Sequence, residues 1–147
     1  MKKVQLITDG ACIGNPGPGG WACILRFGQM DKEMWGSEPQ TTNNRMELTA
    51  AVRGLAALKE TCDVEIVTDS EYVKNGITKW ILGWKRNGWR KADKSAVLNK
   101  DLWQELDFQN DRHTTKWTWT KGHASHIDNN RCDELATAAA RSQSKSS

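Results

Sequence analysis

Apolar positions along the chain change period several times, and each change marks an element. Val4-Gln5-Leu6-Ile7-Thr8 reads as a β-strand. The run Gly14-Asn15-Pro16-Gly17-Pro18-Gly19-Gly20 is a dense turn signal. Trp21–Phe27 reads as a second strand, so the first two form a hairpin, and a weaker third strand falls near Lys32–Gly36. Leu48, Ala51, Val52, Leu55 and Leu58 recur at helical spacing and predict a helix after Asn44. Val64–Thr68 is a strand, and Asp69-Ser70 opens a helix with an apolar stripe of Val73, Ile77, Trp80, Ile81 and Trp84. A helix over Asn99–Gln109 turns Leu102 and Leu106 inward. Thr115–Thr120 alternates as a strand does, with Trp117 and Trp119 on one face. The last helix starts near Asn129 and turns Cys132, Leu135, Ala136 and Ala139 inward. The order β-β-β-α-β-α-α-β-α predicts an α/β fold, one mixed sheet with helices packed on it. The expected organisation is one domain over residues 1–141 and a Ser-rich, disordered tail over 142–147.

Length and composition narrow the class. A chain of 147 residues is long enough to bury about 68–70% of its unfolded surface without disulfides or a structural metal. Hydrophobic residues make up 37% and charged residues 27%, which excludes a disordered chain. No apolar run approaches the ~20 residues that span a bilayer, so no membrane association is expected. Met1-Lys2-Lys3-Val4 leads straight into a strand, so no signal peptide is expected. Cys12, Cys23, Cys62 and Cys132 form no C-x-x-C pair and read as reduced thiols of a cytoplasmic protein.

The net charge of +3 matters less than its distribution. Lys74–Lys100 carries eight bases against Asp93, a segment charge of +7 in a chain otherwise at −4. Three of the eight tryptophans, Trp80, Trp84 and Trp89, lie inside it. Interleaved bases and aromatics over Trp84–Lys91 suit a nucleic-acid groove, although a solvated helix face is the commoner fate of a charge run.

Candidate chemistry begins with carboxylates. Asp9 follows the apolar run of the first strand, Asp69 ends the Val64–Thr68 strand, and Glu47 and Asp133 each lie beside a helical apolar stripe. Taken singly, each has a plainer role: Asp9-Gly10 as a turn, Glu47 in a capping box with Asn44, the others as solvated acids. Taken together, four converging carboxylates call for cations, and hard divalent ions such as Mg²⁺ prefer oxygen ligands. The glycine-rich loop lacks a Gly-Lys-Ser/Thr ending, and Pro16 and Pro18 remove N–H donors, so it is a structural turn rather than a phosphate cradle. His123, His126 and Cys132 fit no closed zinc pattern, so no structural zinc is expected.

Thr8-Asp9-Gly10, Gly14–Gly20, Thr42–Leu48, Thr68-Asp69-Ser70, Lys121-Gly122-His123-Ala124 and Arg131–Glu134 occur in this order. Together they closely resemble the bacterial type 1 ribonuclease H family, endonucleases that cut the RNA strand of RNA–DNA hybrids. The resemblance implies a five-stranded mixed sheet flanked by helices and a monomer. It implies a catalytic set of Asp9, Glu47, Asp69, His123 and Asp133. Its four carboxylates would hold two Mg²⁺ ions when substrate is bound, with Mn²⁺ as a substitute. Asp9 would bridge the ions, Asp133 would serve the attacking side, and Glu47 and Asp69 the leaving side. His123 would move a proton or ease product release, and the ends left would be 5′-phosphate and 3′-hydroxyl.

The same resemblance implies hybrid contacts by Asn15, Asn43, Asn44 and Glu71, and a DNA-phosphate pocket at Thr42 and Asn99. It also implies a basic protrusion that grips the DNA strand through Trp80, Trp84, Lys85, Arg86, Trp89 and Arg90. Gln40 stands where several members carry Arg, which weakens the expected phosphate pocket, and Ser125 and Asn130 stand where Gly and Glu are common. Two rivals to this reading are another nuclease or recombinase on the same sheet, and a non-catalytic hybrid-binding module.

Overall fold

Alternation along the first strand decides which helix covers which side of the sheet. In the computed structural model, which describes residues 1–121 and 127–146, β1 (Lys2–Cys12) occupies the centre. Its Val4 and Leu6 enter one core and Ile7 enters another on the opposite face. β2 (Gly17–Phe27) and β3 (Met30–Thr41) extend the sheet antiparallel on one side. β4 (Cys62–Thr68) and β5 (Thr114–Trp119) extend it parallel on the other, giving the order β3-β2-β1-β4-β5.

The larger core lies under α1 (Asn43–Ala56), α2 (Glu71–Asn75), α3 (Ile81–Arg86) and α4 (Lys100–Arg112). The smaller lies under α5 (Ile127–Ser146), where Cys132 and Ala136 meet Ile7, Ala22, Ile24 and Val67. That contact is backbone-close. A Cβ on Gly20 would come within 2.2 Å of the Ala136 carbonyl oxygen, so glycine in β2 lets α5 lie directly on the sheet.

Several elements depart from the sequence pattern for identifiable reasons. β3 pairs with β2 along nearly its whole length, well beyond the expected Lys32–Gly36. As an edge strand it buries few side chains, so its apolar alternation is faint. β1 continues past Asp9, which pairs with Ala22, so Asp9-Gly10 lies inside a strand and not in a turn. The stripe from Val73 to Trp84 is not one uniform helix: a π-helical turn, Gly76–Trp80, separates α2 from α3. A Cβ on Gly76 would sit 1.9 Å from the Trp103 ring, so the close approach of α4 requires glycine there. The wider turn leaves Ile77 and Ile81 buried and Trp80 41% exposed. Residues 142–146, expected as a disordered tail, continue α5, and the Ser37 hydroxyl donates to Gln143 Oε1 at 2.9 Å.

No helix among the described residues is long and apolar enough to cross a membrane. The four cysteines are free. Burial pushes the Cys23 thiol up to about 12 and raises those of Cys62 and Cys132, so these three behave as small apolar groups.

His113, which no sequence signal singles out, is buried where α4 gives way to β5. Its Nδ1 accepts from the Cys62 backbone N–H at 3.1 Å, and its Nε2 lies 3.3 Å from the Leu55 carbonyl oxygen. Both contacts are met by one neutral tautomer, with the proton on Nε2. Burial is the main cause that lowers its pKa, the Arg112 charge adds to it, and the Leu55 carbonyl opposes. A base whose pKa is depressed by folding binds fewer protons in the native state than in the unfolded chain. Its stabilisation is therefore complete above the unfolded value near 6.5 and is lost as pH falls through it toward the folded value. Denaturant midpoints measured from pH 7 to pH 5 should fall more steeply for the parent than for His113→Gln. Parallel slopes would place the titration elsewhere.

Candidate active site

The site is assembled where the carboxyl ends of β1 and β4 lie side by side, the usual ligand edge of such sheets. Asp9 and Glu47 are 2% and 4% exposed, an unusual depth for two acids. The Gly10 backbone N–H ties them together, donating to Asp9 Oδ1 at 2.9 Å and to Glu47 Oε1 at 2.7 Å. Gly10 also lets α1 approach: a Cβ there would come within 2.5 Å of the Glu47 nitrogen and 2.7 Å of the Met46 carbonyl carbon. Glu47 is thus not part of a capping box. The N-cap of α1 is Thr42, whose hydroxyl accepts from the Arg45 N–H at 3.2 Å.

Asp69 occupies the corner between β4 and α2. The Trp119 indole donates to its carbonyl oxygen at 3.1 Å, the Thr120 N–H donates to Thr68 O at 2.9 Å, and Ser70 caps α2. Asp133 follows Cys132, whose thiol donates to Ile7 O at 3.4 Å and seats α5 over β1. Ligand oxygens of Asp9, Glu47 and Asp69 lie within 4.8 Å of one another. Asp133 joins them in lining an open cleft of about 380 Å³, together with Gly10, Cys12, Asn43 and Ser70. His123, the fifth residue expected here, lies outside the described residues.

This crowding sets the electrostatics. Burial, with the Asp69 and Asp133 charges adding to it, pushes Asp9 up to about 7 against the hydrogen bonds from Glu47 and Gly10. Burial and the charges of Asp9 and Asp69 raise Glu47 well above the usual carboxylate range. Among the described residues no Lys or Arg forms an ion pair with Asp9 or Glu47. Asp9 Oδ2 and Glu47 Oε2 are buried and have no hydrogen-bond partner among the described residues. Buried carboxylate oxygens in that state are costly unless a cation is added. An all-oxygen donor set fits a hard divalent ion.

A substitution at Gly10 tests how tightly this geometry is held. Gly10→Ala forces backbone apart, and overpacking of this kind costs about 1–3 kcal/mol. We expect a lower denaturant midpoint and at least a tenfold lower kcat, because Glu47 moves with α1. Unchanged stability would mean that β1 and α1 can separate freely.

The residues expected to contact nucleic acid fall into two groups. Asn15 accepts from the Asn43 N–H at 2.9 Å, which joins the glycine-rich loop to the start of α1 beside Thr42, while Asn44 and Glu71 are exposed nearby. Asn99, in the left-handed conformation (φ 60°, ψ 30°), donates to the Tyr72 hydroxyl at 3.1 Å. Arg45, which carries no signal of its own in the sequence, donates to Asn99 Oδ1 at 3.2 Å and pairs bidentately with Asp101. A guanidinium therefore stands beside Asn99, although Gln40 supplies none.

In the basic segment, Lys85, Arg86 and Arg90 are exposed, as is Trp80. Trp84 and Trp89 pack against the larger core, with Trp84 edge-on to Trp103 at 5.3 Å. Their apolar faces are thus partly committed to the core. Arg90 and Ala96 form an isolated β-bridge that closes its loop.

The family model for RNase H matches residues 1–141. The chain belongs to the RNase H family. Its relatives include a Ribonuclease H of Solibacter usitatus, 73% identical over 99% of this chain and 100% of that protein. A Ribonuclease H of Marinobacter nauticus is 60% identical over 95% of both chains. Among solved structures, LC9-RNase H1, described as a type 1 RNase H with the type 2 active-site motif, is 32% identical. It covers 97% of this chain and 74% of that one, with a TM-score of 0.87. LC11-RNase H1, solved with an RNA/DNA hybrid, shares the fold at a TM-score of 0.66 and 21% identity, over 95% and 97% of the two chains. The chain is an endonuclease of this family, which hydrolyses the RNA strand of RNA–DNA hybrids in a divalent-metal-dependent reaction.

Proposed function

We propose that Mg²⁺ is the working ion, with Mn²⁺ able to replace it, and that Asp9, Glu47, Asp69 and Asp133 hold two ions when the hybrid is bound. The observation that carries this is the burial of Asp9 Oδ2 and Glu47 Oε2, unpartnered among the described residues and gathered with Asp69 at one cleft. When bound, such a pair stabilises the attacking and leaving oxygens of an in-line phosphodiester displacement, leaving 5′-phosphate and 3′-hydroxyl ends. The protein orients that donor set through the Gly10 N–H, the Trp119 indole and the seating of α5 by Cys132. His123 moves a proton or eases product release. Asn15, Thr42, Asn43, Asn44, Glu71 and Asn99 contact the hybrid, with Arg45 holding the Asn99 side chain in place.

Trp80, Trp84, Lys85, Arg86, Trp89 and Arg90 form the handle for the DNA strand, and the 2′-hydroxyl marks the strand to be cut. Residues 1–141 are the catalytic domain of a monomer working in the cytoplasm, a compartment in which free thiols persist. The experiment is cleavage of end-labelled hybrid, double-stranded DNA, double-stranded RNA and single-stranded RNA in Mg²⁺, Mn²⁺ or EDTA. Hybrid alone should be cut, with 5′-phosphate products, and EDTA should stop the reaction. Cutting of double-stranded DNA, or faster cutting in Mn²⁺ than in Mg²⁺ at every concentration, would overturn the assignment of substrate or ion.

A further inference from the structure

We propose that Asp107 attenuates the handle: it holds Lys85 in an ion pair and so withholds part of that charge from nucleic-acid phosphate. The proposal rests on reading Lys74–Lys100 as the hybrid's handle. Of the eight bases in that segment, Lys85 is the one that pairs with a carboxylate among the described residues, its Nζ lying 3.2 Å from Asp107 Oδ2. The pair joins α3 to α4 beside the contact of Trp84 with the fully buried Trp103. Asp107 lies one helical turn beyond Trp103 on α4, and Lys85 adjoins Trp84 on α3, so the same packing that fixes the tryptophans fixes the acid against the base.

The two ends of the pair differ in exposure. The Asp107 side chain is 19% exposed and that of Lys85 43%. The carboxylate is therefore set inward and held by packing, while the ammonium keeps its outer face toward solvent. A phosphate arriving at Lys85 meets a cation whose charge is already balanced. Among the described residues Arg86, Arg90 and Lys91 form no ion pair, and they meet it at full strength. For an enzyme that must release a polyanionic product, binding that is equally strong before and after the reaction gives no rate, so moderating it has a use.

The test is equilibrium binding of a fluorescent RNA–DNA hybrid in EDTA, where it is not cut, across a salt series. The proteins are the parent, Asp107→Asn, Asp107→Glu, Lys85→Gln, the Asp107→Asn/Lys85→Gln double variant and Arg86→Gln/Arg90→Gln. Asp107→Asn should bind about two- to fivefold tighter, the range of a partly exposed ion pair. Its log K against log[salt] slope should steepen by about 0.9, the value of one added phosphate contact. Asp107→Glu keeps the charge and should behave as the parent. In the Lys85→Gln background Asp107→Asn should change nothing. Weaker binding by Asp107→Asn would overturn the proposal, because the acid would then be positioning Lys85 for phosphate. An equal gain without Lys85 would overturn it too, because the effect would be a general charge effect. If Arg86→Gln/Arg90→Gln binds as tightly as the parent, the handle reading itself fails. If it binds weakly while Asp107→Asn is unchanged, only the attenuation fails.

Discussion

Asp9→Asn should abolish cleavage while leaving the protein folded and able to bind hybrid. The side chain keeps its shape, so the Gly10 N–H can still donate to its remaining carbonyl oxygen. What is lost is the charge at the centre of the cluster, within 4.8 Å of ligand oxygens on Glu47 and Asp69. Charge stabilisation of a phosphoryl transition state by bound ions is worth several kcal/mol, so kcat should fall by about a thousandfold or more. A second readout separates this from misfolding. Without divalent ions, three crowded carboxylates repel one another, so Asp9→Asn should melt higher than the parent in EDTA. The rise in melting temperature that Mg²⁺ gives the parent should shrink in the variant, because a ligand that binds only the native state stabilises it by mass action. Activity within tenfold of the parent at saturating Mg²⁺ would sink the central role of Asp9, whatever the melting behaviour.

How much of such a site is legible in the sequence depends on the range of the interactions that build it. Asp9, Glu47, Asp69 and Asp133 stand out because each follows the apolar run of a strand or lies beside a helical apolar stripe, and period and turn chemistry are local signals. Their convergence is not local. Glu47 meets Gly10 across 37 residues, and Cys132 meets Ile7 across 125. Order along the chain and family resemblance carry that part. Glu47 shows the ambiguity best. Its spacing from Asn44 fits a capping box, and only the Thr42 cap and the Gly10 contact show that its carboxylate is used elsewhere.

β3 is longer than its pattern suggests for a different reason. An edge strand buries little, and a strand that buries little writes no clear alternation. His113 and Arg45 are silent in the sequence because their meaning lies wholly in distant partners: Cys62 and Leu55 for one, Asn99 and Asp101 for the other. The tryptophan-rich segment is only half legible. Helical spacing places Trp84 on the stripe, but the same residue could serve the core or a groove, and its contact with Trp103 shows that the core takes a large part of it.

The charge of that segment makes the second strong prediction. Arg86→Gln/Arg90→Gln/Lys91→Gln removes three of the eight bases between Lys74 and Lys100. Among the described residues none of the three forms an ion pair or enters either core, so the substitutions should leave the fold intact. The three bases lie at the end of α3 and in the loop before α4, and the cleft lined by the four carboxylates takes none of its described lining from that segment. Contacts made there are equally present in bound substrate and transition state, and removing such uniform binding raises KM while kcat stays nearly constant. Each phosphate contact contributes about 0.9 to the slope of log K against log[salt] on duplex DNA. The triple variant should therefore flatten that slope by about two to three. Near 0.1 M salt its KM should rise by one to two orders of magnitude, since a protein with several such contacts loses about 10³–10⁵ in affinity over a fourfold change in salt. Steady-state kinetics on a hybrid at several salt concentrations decides the matter. If kcat collapses while KM and the salt slope hold, these bases serve the reacting centre or its fold, and the substrate handle lies elsewhere on the surface.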